Sequence, residues 1–431
     1  MRRNRQMKEL QFPYGKQHLK IDVEEKYLKG ILCSHLNEYV PEKGEEELVK
    51  EAMENPIGSK RLRELAKGKK KVVIIASDHT RPVPSRIIMP LMLKEIREGN
   101  PEADISILIA TGFHRLTTRE ELVNKFGEEI VEKEKIVVHD STRDEDMVYL
   151  GKLPSGGDLL INRLAYEADL LCSEGFIEPH FFAGYSGGRK SVLPGVASRK
   201  TVLANHCSRF IDSKYARTGL IEHNPIHEDM LWAARKANLA FICNVIINAE
   251  KKVVYAVSGD VDEAHKAGIA FLSRYCMVEG VDADIAITTN GGYPLDQNIY
   301  QAVKGLTAAE ATVRKDGVII MLASCSDGHG GQSFYDTFQK GLPLEKMYEE
   351  FMSRDASHTV ADQWESQILT RILMHAKVIF VSKQDDDMIR NFRMIPAHSL
   401  DEALAKAREI VGFDASIAAI PDGVSVMVVH K

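Results

Sequence analysis

The sequence predicts an α/β protein made of two α/β domains with mainly parallel sheets and an active site in the interdomain cleft. Three observations carry that prediction. Short β-branched runs alternate with amphipathic charged stretches along most of the chain, as α/β layering requires. Runs such as VVII stay apolar without alternating, which suits strands buried on both faces of a parallel sheet. The length, 431 residues, exceeds what one ordinary domain holds.

In chain order, strands are expected at 70–77, 104–111, 135–140, 168–175 and 240–248. Helical spacing of apolar residues marks 85–99 and 118–134. Thr118 followed by Glu120 and Glu121 supplies a helix start with acid near the positive end of the dipole. A charged helix over 260–277 closes an expected N-terminal domain, 1–277. Strands at 283–290, 316–324 and 376–382 and a helix at 399–412 make an expected C-terminal domain, 278–412. The tail, 413–431, reads as one or two short strands around a Pro-Asp-Gly turn; it either stays with the second domain or returns to the first.

Composition narrows the function classes. Charged residues are 27% of the chain, interspersed, with a net charge of −6, and no basic tract points to nucleic acid. The basic start, "MRRNRQMKELQFPYG", lacks the apolar run of a secretory leader. No stretch approaches the ~20 apolar residues of a membrane helix. Six cysteines are scattered without a C-x-x-C pair, so free thiols and a reducing, cytoplasmic compartment are expected.

The stretch "HFFAGYSGGRKSVLPG", 180–195, has the spacing of a phosphate loop, with Gly184, Lys190 and Ser191 in register. Arg189 stands where the second glycine belongs. The stretch is either a degenerate nucleotide loop or a glycine-rich loop that presents one lysine. Ligands of open α/β sheets bind beyond the carboxyl ends of strands, so the residues that follow each strand matter most. "DHTRPVPS" places Asp78 and Arg81 there, and an arginine fork clamps a carboxylate or phosphate; an Asp–Arg pair capping the next helix is the alternative. His114 and His180 also follow strands, and histidine suits proton transfer near neutral pH.

His206 sits on a helix without a second ligand at i+3 or i+4, and one histidine makes no metal site. His223 and His227 have zinc-like i, i+4 spacing, but Asn224-Pro225 reads as a cap followed by the first helical residue, which leaves His223 outside the helix. In the second series Gly291 and Gly292 permit close backbone approach, and Tyr300 and Lys304, with Gln301 between them, share a helical face.

Taken together and in order, "SDHTRPVP", "TGFHR", "EPHFFAGYSGGRKSVLPG", "NHCS", "YPLDQNIYQAVKG" and the tryptophan of "ADQWE" resemble the lactate racemase family that uses a nickel-pincer nucleotide. The motifs run from about residue 70 to 365. The resemblance implies that Lys190 forms a thioamide to the cofactor, pyridinium-3-thioamide-5-thiocarboxylic acid mononucleotide, and that His206 is the protein's ligand to nickel. It implies acid–base roles for His114 and His180, and a grip on the substrate carboxylate by Arg81. Asp78, Gly187, Gly188 and Ser191 are expected beside the cofactor, and Tyr300, Gln301, Lys304 and Trp364 beside the substrate. Lysine 190 would then be a covalent anchor, and Arg189 no defect.

The implied activity is interconversion of D- and L-lactate by proton-coupled hydride transfer through pyruvate, with separate cofactor-maturation enzymes as partners. The chemistry agrees: a carbon beside a carboxylate anion is a very weak acid, whereas hydride removal with loss of the hydroxyl proton gives a neutral ketone. Returning hydride to the other face inverts the centre, and two histidines provide a base for each hand. Trp364 and Tyr300 favour a small pocket, hence lactate. The alternatives are racemisation or epimerisation of another 2-hydroxy acid, or a non-catalytic nucleotide-binding carrier in cofactor assembly.

Overall fold

The computed structural model describes residues 6–430; Arg2, Arg3 and Arg5 of the basic start lie outside them. Two six-stranded sheets form the framework. Across the first, the order is Val253–Gly259, Leu239–Ile247, Leu170–Phe176, Lys71–Ser77, Asp104–Ala110, Lys135–Val138, parallel except for the Val253–Gly259 edge. Val73, Ile75, Leu108 and Leu171 face one apolar cluster, while Val72, Ile74, Ile107 and Cys172 face another. Burial on both faces explains why these strands do not alternate in sequence.

The second sheet is wholly parallel, in the order Ile395–Ala397, Lys377–Val381, Val313–Leu322, Ala283–Thr289, Ile417–Ile420, Leu28–Ile31. One of its faces is covered by the hairpin Met7–Tyr14/Gln17–Glu24, whose Leu10 and Phe12 pack with Ile285, Ile287 and Ile320. Residues 7–31 therefore lie with the second sheet, although the division at 277 assigns them to the first. The tail divides its pairing: Ile417–Ile420 is an inner strand of the second sheet, and Met427–Val429 pairs with Met277–Glu279. We propose that the domains are the body around the first sheet, about 33–276, and a second body assembled from both ends of the chain.

The helix expected over 118–134 is two, Arg119–Phe126 and Glu128–Lys133, because Gly127 at φ +88° interrupts it. Its start is as expected: the Thr118 hydroxyl accepts from Glu121 N and Glu121 bonds back to Thr118 N. Asn224 likewise caps Pro225–Lys236, and His223 stays outside that helix. All six cysteines are free, and among the described residues no helix is long and apolar enough to cross a membrane.

In each sheet the chain moves outward from a first strand and then crosses back to its other side. Loops leaving Lys71–Ser77 and Leu170–Phe176 therefore diverge, and so do those leaving Ala283–Thr289 and Ile417–Ile420. A crevice opens at each reversal. The two crevices face one another across a cavity of about 300 Å³ lined by Pro82, Glu178 and Pro179 from one side and Leu295, Pro421 and Asp422 from the other.

Candidate active site

Asp78 and Arg81 leave the carboxyl end of Lys71–Ser77, and His114 leaves that of the neighbouring strand Asp104–Ala110. Asp78 is 1% exposed, yet its carboxylate is fully engaged. Oδ1 accepts from Thr80 N at 3.1 Å and Thr80 Oγ1 at 2.7 Å; Oδ2 lies 2.6 Å from His114 Nδ1. Burial pushes the Asp78 carboxyl up, but the His114 hydrogen bond and charge, with Thr80 and Arg81, outweigh it, and the group is held below its ordinary value. Ionised Asp78 therefore fixes the proton on His114 Nδ1 and leaves Nε2 with a free lone pair.

His180 is held in a different way. Ala183 N–H points at its Nδ1 at 3.3 Å, which leaves the ring proton on Nε2. Burial, then the charges of Lys190, Lys304 and Arg81, keeps His180 neutral well below its ordinary value. His206 completes the set: its Nδ1 lies 3.0 Å from Val202 O, so Nε2 is free, and burial beside Lys190 pushes its pKa down to about 3.

Aromatic contacts bind these groups into one cluster. Phe182 meets His180 at 4.6 Å and His206 at 5.1 Å between ring centroids. Trp364, from the helix Gln363–His375, meets His206 edge-on at 5.1 Å and Phe113, neighbour of His114, at 5.8 Å. That helix is tied to the first body: Gln363 Nε2 donates to Ser208 Oγ, and Gln367 Nε2 to Ser208 O at 3.0 Å. Residues from both bodies thus meet around His206.

Lys190 makes no hydrogen bond or ion pair among the described residues, and its Nζ lies 6.0 Å from the centroid of the Phe182 ring. Burial and the cations Arg189 and Arg81 hold the amine well below its ordinary pKa. It lies in a four-residue 3₁₀ turn, Gly188–Ser191, so no α-helix begins here to receive a phosphate. Arg189 is wholly buried: Nη2 donates to Ala183 O at 2.7 Å and Nη1 to Gly187 O at 3.2 Å. Its guanidinium splints the loop from inside, which is why arginine replaces a phosphate-loop glycine.

Gly187, Gly188 and Ser191, also expected beside the cofactor, are held as well by the protein's own packing. A Cβ on Gly187 (φ +77°) would lie 2.7 Å from Phe176 O, and one on Gly188 2.8 Å from the His265 ring. Ser191 Oγ is spent on Gly188 O at 2.8 Å and Ser173 Oγ at 3.1 Å. Gly187→Ala is expected to cost about 2 kcal/mol through strain and overlap, read as a lower urea midpoint; an unchanged midpoint would show that the turn yields freely.

From the second body, Tyr300, Gln301 and Lys304 stand on Ile299–Glu310. The Tyr300 hydroxyl donates to Asp362 Oδ1 at 3.2 Å, and Lys304 Nζ donates to Gln301 Oε1 at 2.6 Å. The Arg81 guanidinium has no side-chain partner among the described residues and is exposed. Lys304 feels Arg81 and two carboxyls that lie inside the quoted motifs without an assigned role, Glu365 and Glu178. The signal for both was present: each is the immediate neighbour of a motif residue or its proline, in "QWE" and "IEPH".

These features fit a nickel group that brings most of its own ligands. No cluster of three or more His, Cys, Asp or Glu among the described residues could hold a metal, yet one neutral histidine offers a free Nε2 beside an unpartnered amine. Soft donors on a planar cofactor would suit Ni(II) and complete that single ligand.

A family model described as the lactate racemase N-terminal domain matches residues 14–219, and one described as the lactate racemase C-terminal domain matches 278–428. The lactate racemase of Thermoanaerobacterium thermosaccharolyticum is 55% identical over 426 residues, 99% of this chain and 100% of that protein. The lactate racemase of Lactiplantibacillus plantarum is 52% identical over 420 residues, 97% and 99% of the two chains. The structure of the T. thermosaccharolyticum lactate racemase apoprotein superposes with a TM-score of 0.95 over 98% of this chain and 100% of its own, at 55% identity. A Thermotoga maritima protein shares the fold alone, with a TM-score of 0.65 and 19% identity over 90% of this chain and 98% of its own.

Proposed function

Because the chain belongs to the lactate racemase family, we propose that it is an isomerase interconverting D- and L-lactate at this site. The observation that supports the reading is the packing of His180 and His206 on either side of Phe182 beside Lys190, with the Asp78–His114 pair at the neighbouring strand ends and its neighbour Phe113 against Trp364. A carrier of nucleotides has no use for an Asp78–His114 pair.

His206 Nε2 would hold the nickel, and Lys190 Nζ would anchor the pincer nucleotide. When bound, that group supplies the acceptor for the substrate's α-hydrogen. The protein's share is binding, orientation and proton transfer. Arg81 and Lys304 attract the lactate carboxylate. His114 Nε2 takes the hydroxyl proton of one enantiomer, with the imidazolium stabilised by Asp78 at 2.6 Å. His180 would serve the other enantiomer, donating to the oxygen of the turned ketone as an imidazolium once the proton taken by His114 has passed to it, and the two roles exchange in the reverse direction. Trp364 and Tyr300 limit the space beside the α-carbon and favour a methyl group there.

The test is a chiral assay on protein co-expressed with pincer-maturation enzymes and nickel, using D-lactate, L-lactate, malate and phenyllactate. Lactate is expected to reach the racemate from either hand, with the bulkier acids at least about tenfold slower, since one pocket misfit costs 1–3 kcal/mol. Loaded protein that racemises malate or phenyllactate and not lactate would overturn the assignment.

A further inference from the structure

His265 takes no part in the proposed reaction, yet it is 1% exposed and lies at the joint between two groups that do. It stands on the helix Glu263–Cys276, which packs on the strands Leu239–Ile247 and Val253–Gly259. His180 belongs to a two-stranded ribbon, Pro179–His180 paired with Gly184–Tyr185, and Lys190 to the turn that follows. Ser186 closes the ribbon: its N donates to Glu178 O at 2.9 Å, and its Oγ accepts from Glu178 N at 3.0 Å. A shift of the Ser186 peptide therefore moves the ribbon against the turn.

Two side chains hold that joint from behind. Asn244 Oδ1 accepts from Gly188 N at 2.7 Å, and His265 Nε2 lies 2.8 Å from Ser186 O. A carbonyl only accepts, so Nε2 carries the ring proton and donates it. The ring also lies against Gly188, where a Cβ would come within 2.8 Å of it. Arg189 Nη1 is 3.3 Å from the same Nε2, which keeps no lone pair for it. Burial and the Arg189 charge, with His227 and Lys266, outweigh the Ser186 bond and hold the ring neutral, its pKa well below the ordinary value. Arg189 ties the segment only to itself, through Ala183 O and Gly187 O; His265 ties it to the helix behind.

We propose that His265 is a positioning residue, whose Nε2–H on Ser186 O sets the Lys190 turn against the His180 ribbon. Phe182, between the ribbon strands, meets the His180 ring at 4.6 Å, and its centroid lies 6.0 Å from Lys190 Nζ. A displaced joint would disturb both spacings at once.

The first arm of the test uses apoprotein and needs no substrate. Backbone hydrogen exchange over 184–191 is followed by peptide mass spectrometry. In His265→Leu that segment is expected to exchange about tenfold faster, since a buried carbonyl left without its donor costs at least that factor. His265→Gln, which carries a neutral N–H at similar reach, is expected to restore most of the protection. Unchanged exchange in His265→Leu, or equal loss in the Leu and Gln variants, overturns the proposal. If His265→Leu does not fold, His265→Gln decides: a Gln variant that also unfolds, or that loses protection over 184–191, overturns it.

The second arm rests on the lactate reading. Counted per adduct-bearing molecule, His265→Leu is expected to lower kcat about tenfold or more through misplacement, with KM for lactate within about threefold of wild type. KM holds because Arg81 and Lys304, which attract the carboxylate, stand on other elements. His265→Gln is expected to keep kcat near wild type. Faster exchange with an unchanged kcat would make His265 a structural residue only and overturns the proposal. Faster exchange in His265→Leu, with no lactate turnover by loaded wild type, would sink the functional reading and leave the pinning of the turn standing.

Discussion

Lys190→Ala is expected to give a folded chain that carries no covalent nucleotide and racemises no lactate. The prediction follows from the amine's surroundings. Lys190 has no partner to lose, so removing it leaves no orphaned carboxylate, and the turn is splinted by Arg189 rather than by Lys190. Stability should therefore hold. The same burial that denies the amine a partner also lowers its pKa, which favours the unprotonated state an acyl-type bond to nitrogen requires. Intact denatured mass checks this: wild type, loaded in a maturation host, should show an adduct of mononucleotide size and Lys190→Ala none. An adduct retained in the variant would move the anchor to another residue.

Asp78→Asn is expected to lower kcat by about 10³-fold or more while leaving the cofactor bound. An amide can keep its oxygen on Thr80 N and Oγ1, where the two donors already sit, only by turning its NH₂ toward His114 Nδ1. The imidazole must then accept there and carry its proton on Nε2, which removes the base; an analogous change in a serine protease triad costs ~10⁴ in rate. Asp78 also contributes to stability with a definite sign. Its folded pKa is lowered, so the contribution is present above the ordinary carboxylate range and is lost as pH falls through the folded value. The variant should lack that acid-labile part of the unfolding curve. Loaded Asp78→Asn with a kcat within about threefold of wild type would mean that His114 works without its partner.

What the sequence revealed depended on distance along the chain. His114, His180, Lys190 and His206 were legible because each lies just past a strand or within a motif, and a strand's carboxyl end is where open sheets keep their ligands. The Asp78–His114 bond spans 36 residues, and nothing local in "DHTRP" announces it. Arg189 looked like a flaw because a phosphate-loop template assigns glycine there, whereas only the fold shows a guanidinium turned inward. Glu365 stayed hidden because acid in the first turn of a helix is unremarkable until its burial is known. The two-sheet plan was visible in the apolar runs. The hairpin over Met7–Tyr14 and Gln17–Glu24 was not, since its strands alternate and their cover, Ile285 and Ile287, lies far downstream.

The strand Leu28–Ile31 closes the second sheet against Ile417–Ile420, and Tyr27 bonds Asp414, 387 residues further along. During synthesis, then, Leu28–Ile31 leaves the ribosome long before its partner strand and must wait to find its place. The hairpin and that strand must wait, apolar face uncovered, while the first sheet forms from residues that are close together in the chain. The later body fits around a finished earlier one, and Trp364 reaches His206 only at that stage. Nascent chains truncated before Ile417–Ile420 would hold His114, His180 and Lys190 and still lack a closed second sheet, so the order of translation itself delays the meeting of the two bodies around His206.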